Sequence, residues 1–113
     1  MKPAVTMRES TIEKKVCAYW KNRGWVPIKF ASPGTAGAPD RVFVGFGQSV
    51  FVEFKVPGGR LSPGQKAFHA MMENAGLYVY IVNSIEAGMK LESDIKKYLR
   101  IRNPRMEIPN CYQ

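Results

Sequence analysis

The sequence is poor in the residues that usually announce a metal or redox centre: its 113 residues hold two cysteines and one histidine. Cys17 and Cys111 lie far apart, without metal-ligand spacing, and read as free thiols in a reducing compartment rather than as a disulfide. No apolar run approaches the ~18 residues that a membrane span requires. Met1-Lys2-Pro3 opens no signal peptide, so the expected place of work is the cytosol. There are no repeats and no low-complexity segment. The length suits one domain, read here as residues 1–103, with Pro104 and Pro109 making residues 104–113 an irregular tail.

Acidic residues are also scarce, nine against seventeen Lys and Arg, for a net charge of +8. Their placement is uneven. Residues 1–30 carry Lys2, Arg8, Lys14, Lys15, Lys21, Arg23 and Lys29 against Glu9 and Glu13 only. Residues 93–113 repeat the imbalance, whereas the middle of the chain is neutral and holds most of the acids. Basic flanks around an acidic centre suit a protein that grips a polyanion and holds a cation. Solubility charge on helix faces explains the same counts.

Thr6 with Glu9 three residues later forms a capping box that predicts a helix from near Met7, buried through Ile12, Val16, Tyr19 and Trp20 and stopped at Gly24. Trp25 to Phe30 reads as a strand, closed by the loop from Ala31 to Pro39, in which Gly34 and Gly37 permit a tight path. Arg41 to Phe46 and Ser49 to Lys55 form a hairpin about Gly47-Gln48. Ser62-Pro63-Gly64-Gln65 is a second helix start with Ser62 as N-cap. That helix is expected to bury Phe68, Met71 and Met72, and to stop at Gly76. Tyr78 to Val82 is an apolar strand, and Asn83-Ser84 caps a last helix running to about Arg100 with a break near Ser93. The order α-β-β-β-α-β-α implies a mixed β-sheet flanked by helices, an α/β fold with one parallel crossover.

Within that frame one constellation carries chemistry. An acid-x-Lys triplet is weak evidence, and Glu13-Lys14-Lys15 and Asp94-Ile95-Lys96 match it from within helices. Only Glu53-Phe54-Lys55 ends an apolar strand with another acid, Asp40, on the neighbouring strand. With a turn at Gly47-Gln48, Asp40 sits across from Lys55 and diagonal to Glu53. Moving the turn back by one residue sets Asp40 directly opposite Glu53. Either register keeps both carboxylates on one face, where Mg²⁺ or Mn²⁺ would relieve their repulsion and the lysine would orient a water or a phosphate. The plainer alternative is a cross-strand Asp40–Lys55 ion pair.

Gly37-Ala38-Pro39-Asp40, the hairpin, Glu53-Phe54-Lys55, and then Gly58-Gly59-Arg60-Leu61-Ser62-Pro63-Gly64-Gln65 resemble the VRR-NUC (virus-type replication-repair nuclease) family, within the PD-(D/E)XK nuclease superfamily. The likeness covers roughly residues 8–90 and is closest to compact stand-alone phage and bacterial members. It implies a restriction-endonuclease-like fold and Mg²⁺- or Mn²⁺-dependent hydrolysis of DNA to 5′-phosphate ends. The implied substrate is branched DNA such as a four-way junction, cut by a homodimer in the host cytoplasm. It further implies metal ligation by Asp40, Glu53, the Phe54 carbonyl and a first-helix acid, with Lys55 as the catalytic lysine. Glu13 is preferred as the helix acid, since Glu9 already completes the capping box. Gln65 matches a family glutamine as well as a helix cap. Lys29, Arg60 and His69 are candidate DNA contacts, each with a bland reading as surface charge or structural imidazole. Trp20, Trp25 and Phe68 read as core. A DNA-binding accessory domain that does not cut, and a purely structural basic domain, are the other classes the sequence permits.

Overall fold

The computed structural model describes residues 7–30 and 37–102. Thr6, Gly34, Cys111 and the expected tail 104–113 lie outside the described residues. The elements are α1 (Glu9–Asn22), β1 (Val26–Lys29), β2 (Arg41–Gly45), β3 (Gln48–Phe54), α2 (Pro63–Asn74), β4 (Val79–Val82) and α3 (Ile85–Arg102). One four-stranded sheet has the order β1-β2-β3-β4, with two antiparallel ladders and a parallel β3–β4 pair joined through α2. The predicted α/β architecture is therefore the observed one.

Two helices cover one face of the sheet. Ile12, Val16 and Trp20 of α1 pack with Phe43, Val50, Val52, Phe54 and Val82 into the main core, and Ala87, Leu91 and Ile95 of α3 close over it. Trp20 stacks on Phe43 at 4.3 Å and donates its indole N–H to the Gly88 carbonyl at 3.0 Å. Gly88 is needed there, because a Cβ would stand 2.5 Å from a methyl of Val16. The other face, lined by Val42, Phe51 and Glu53 through strand alternation, is covered in part by α2. Phe68 of α2 approaches Phe30, which also meets Phe51, with ring centroids 6.4 and 6.3 Å apart.

Several local expectations are corrected. Helix α1 starts at Glu9 with Arg8 as N-cap and no side-chain cap bond, so Glu9 sits in the first turn rather than closing a capping box. The hairpin turn is Phe46-Gly47, not Gly47-Gln48, since Gly45 pairs with Gln48. Phe46 and Gly47 both have positive φ, 52° and 72°, as a two-residue turn matched to strand twist requires. Met71 is 57% exposed, because the buried stripe of α2 runs through His69 and Met72 and Met71 points away from it. Helix α3 is continuous through Ser93, started by Ser84, whose hydroxyl accepts from the Ala87 N–H at 3.0 Å.

A charged network pins α3 to the end of α1. Glu92, wholly buried, accepts from Arg23 Nε at 2.7 Å, from the Trp25 indole at 3.1 Å and from Lys96 Nζ at 2.8 Å. Lys96 also donates to the Arg23 carbonyl at 2.9 Å and lies 5.2 Å from the Phe46 ring centroid. Burial alone would raise the Glu92 carboxyl, but the donors Lys96, Trp25 and Arg23 outweigh it and hold the carboxyl below its ordinary range. Its contribution is thus present above the ordinary carboxylate pKa and is lost as pH falls through the lowered one. Glu92→Gln leaves Lys96 buried without its counter-charge and is expected to cost ~3–5 kcal/mol in urea unfolding at neutral pH. The variant should also lose part of the acid limb of the stability curve. An unchanged midpoint would remove the network from the fold's support.

A candidate active site where the central strands end

The Phe46-Gly47 turn decides the geometry of the site. Arg41 pairs with Val52 and Phe43 with Val50, so Asp40, one residue before β2, stands directly opposite Glu53. Both carboxylates face the α2 side, as does Lys55. The Phe54 N–H donates to Asp40 Oδ2 at 2.8 Å, which fixes the Asp40 side chain against the neighbouring strand. The loop that delivers Asp40 is itself held to α2. At Gly37, with φ of 89°, a Cβ would lie 2.2 Å from the Gly64 carbonyl oxygen, so backbone meets backbone there.

Glu53 is 1% exposed and Oε1 has no hydrogen-bond partner among the described residues. Nε2 of His69 lies 3.5 Å from that oxygen and is likewise without a partner among the described residues. Burial, then the hydrogen bond and charge of Asp40, push the Glu53 carboxyl from its ordinary 4.5 up to about 8; Lys55 works against this and Glu9 adds to it. Burial also lowers the His69 imidazole, with Lys55 adding to the shift and Glu73 and Asp40 opposing it. At neutral pH the acid pair therefore keeps a proton where a cation can replace it.

This donor set fits a hard divalent ion. Among the described residues no group of three or more His, Cys, Asp or Glu is gathered as a metal cluster. An ion such as Mg²⁺ takes one or two carboxylates and keeps several waters, so Asp40 and Glu53 suffice. Two carboxylates directly opposed across the ladder, one of them buried, are the feature that such an ion would explain.

The remaining candidate residues are distributed unevenly. Glu13 accepts from Arg41 Nε at 2.7 Å, and Arg41 pairs with Val52, so this contact is on the α1 side of the sheet. Glu9, one turn earlier, is the helix acid whose charge acts on Glu53. Arg41, adjacent to Asp40 and pointing the other way, was the signal for that division. The Gln65 side chain accepts from the Ser62 N–H at 2.9 Å while Ser62 Oγ accepts from the Gln65 N–H at 3.1 Å, a complete capping box. Lys29 pairs with Arg41 in register and is exposed on the face away from the carboxylates. Arg60 is exposed between the Pro57-Gly58 turn and α2. His69 turns inward to Glu53. Cys17 is buried and its thiol is pushed up to about 11, chiefly by burial, which makes it an inert core residue.

No family model matches the chain. In fold it is similar to a solved "VRR_NUC domain protein", with a TM-score of 0.63 and 17% identity over 86% of this chain and 92% of that one. In sequence it is similar to "Putative nuclease p44" of Acyrthosiphon pisum secondary endosymbiont phage 1, at 38% identity over 79 residues, 69% of this chain and 85% of that protein. A likeness of that extent establishes that the chain belongs to one family with that phage nuclease, and its fold is that of a VRR-NUC domain.

The raised Glu53 carboxyl sets a test in the metal-free protein. Between its ordinary pKa of 4.5 and about 8 the folded chain holds a proton that the unfolded chain has lost. Stability in EDTA is therefore expected to fall as pH rises through that window. Glu53→Gln should flatten this decline and melt ~5–10 °C higher at pH 8. Mn²⁺ should restore the loss in the parent protein and not in the variant. Parallel pH profiles for the two proteins would show that Glu53 is not held in the state described.

Proposed function

We propose that the chain is a metal-dependent deoxyribonuclease of the PD-(D/E)XK type, with Mg²⁺ or Mn²⁺ held by Asp40 and Glu53 and with Lys55 as the catalytic lysine. The observation that carries this reading is the pair of carboxylates directly opposed across the β2–β3 ladder, one of them buried. When bound, the cation would activate a water and neutralise charge on the phosphate. The chain's own residues do the rest. Phe54 holds Asp40 in place through its N–H, and the buried Glu53 would help keep bulk water from an ion it held. Lys55, two residues beyond Glu53 on the same face, presents a cation to the attacking water or to developing negative charge on the phosphoryl oxygens. Glu9 is better placed than Glu13 to complete the site from α1, because Glu13 is engaged by Arg41.

Branched DNA is the proposed substrate class and a homodimer the proposed working form, both from the family resemblance. A dimer presents two such sites to a two-fold symmetric junction. The basic flanks lie largely on α1 and α3, which pack on the sheet face opposite α2, and it is the first turn of α1, at Glu9, whose charge reaches Glu53.

A labelled panel of single strands, duplexes, flaps and four-way junctions, with Mg²⁺, Mn²⁺ or EDTA, tests the assignment. Cleavage is expected only with metal. Asp40→Asn should reduce it by ~10³-fold or more and weaken Mn²⁺ binding. Lys55→Ala should reduce it by ~10²-fold or more with Mn²⁺ affinity nearly unchanged, because lysine supplies charge and not ligation. EDTA-resistant cutting, or turnover by Lys55→Ala within a factor of two of the parent, would overturn the mechanism. Metal binding without cleavage of any substrate would identify a DNA-binding accessory on the same fold.

A further inference from the structure

His69 is the chain's only histidine, and the proposed chemistry leaves it without a role. Its position is nevertheless tightly determined. The reciprocal Ser62–Gln65 bonds fix the start of α2, and Gly37 against Gly64 ties that start to the loop entering Asp40. One turn beyond Gln65 the helix delivers His69 onto Glu53, and Phe68 meets Phe30 beside it.

The contact made there is incomplete. Nε2 of His69 and Oε1 of Glu53 are both buried and without a partner among the described residues, and 3.5 Å is too long for a hydrogen bond between them. Leaving such atoms unpaired away from water is costly, and native folds rarely do so without a use for it. Hydrogen bonds at catalytic sites are often long before the ligand arrives and tighten once it does. Moving Nε2 to ~2.8 Å from Oε1 is a shift of well under an ångström and gives a charge-assisted bond to an ionised carboxylate.

We infer that His69 is a positioning residue for the metal site: its Nε2–H closes on Glu53 Oε1 when a divalent cation engages the Asp40–Glu53 pair, and so holds the other oxygen, Oε2, toward the ion. This rests on the reading of Glu53 as a metal ligand. The imidazole itself stays outside the coordination shell, in keeping with the absence of a three-residue metal cluster among the described residues. Outer partners of this kind typically carry a 10–100-fold effect on metal affinity.

The test uses the full chain and Mn²⁺ alone, with affinity read by calorimetric titration and folding by thermal melts in EDTA. His69→Gln places an amide N–H near the position of Nε2, His69→Asn places one too short to reach Glu53, and His69→Leu has none. Mn²⁺ affinity is expected to fall ~10–100-fold in His69→Leu and His69→Asn and to stay within about threefold of the parent in His69→Gln. The EDTA melt of His69→Leu should be no lower than the parent's, since the substitution removes a buried polar atom. If His69→Leu and His69→Asn bind as tightly as the parent while Glu53→Gln loses Mn²⁺, His69 only fills space and the inference alone fails. If His69→Gln is as weak as His69→Leu, the N–H donor is not what matters and the inference fails in favour of a direct nitrogen ligand. If Glu53→Gln binds Mn²⁺ normally, the metal-site reading fails and takes this inference with it. Should His69→Leu fold poorly, the contrast of His69→Gln with His69→Asn decides the matter.

Discussion

A side chain far from the carboxylates governs how they meet. Phe46 occupies a left-handed conformation that costs an ordinary residue ~1–2 kcal/mol, and it does so at the tip of the central hairpin. Its ring is held edge-on to Trp25 at 5.1 Å and under Lys96 at 5.2 Å. Gly24 approaches so closely that a Cβ there would lie 2.8 Å from the ring. Trp25 and Lys96 are in turn bound by Glu92. The Glu92 network therefore stabilises more than the α1–α3 packing. It holds in place the residue that sets the β2–β3 register, and the register sets Asp40 against Glu53.

Glu92 and Glu53 show what burial does to one residue type in two surroundings. Both are almost wholly removed from solvent. Glu92 has three donors, stays charged and ties helices together. Glu53 has an acid opposite it, an oxygen without a partner and a proton retained up to about pH 8. The first arrangement is complete within the chain. The second is not complete among the described residues, and the proposed metal site rests on it.

The architecture was legible because its signals are local. Ser62-Pro63-Gly64-Gln65 specifies a helix start by itself, and the structure forms every bond that this motif implies. The Val- and Phe-rich strands and Glu53-Phe54-Lys55 at a strand end likewise depend on neighbours in sequence. What escaped depends on packing. A phenylalanine is a poor choice for a left-handed turn residue, so nothing local placed the turn at Phe46-Gly47. Glu9 and Glu13 differ by one helical turn, and the contact of Arg41 with Glu13 across β2 is set by packing rather than by any local signal. Met71 and Met72 are alike as residues, and the direction from which the sheet meets α2 decides which is buried. The pairing of His69 with Glu53 joins residues sixteen positions apart through a crossover, beyond the range of any periodicity.

The hairpin also resembles a message with a reading frame. Side chains alternate across a strand with a period of two, so adding or removing one residue at the Phe46-Gly47 tip, with Asp40 and Arg41 shifted by one against β3, would exchange the roles of every residue on the strand. Arg41 would then face α2, and Asp40 would face the helix that now receives Arg41. The tip lies about 20 Å along the strand from Asp40, at ~3.4 Å per residue. A one-residue change there is the structural counterpart of a frameshift: each letter survives and the sense is lost. Changes of two residues preserve the phase, so length variation at this tip should be tolerated in even steps and refused in odd ones.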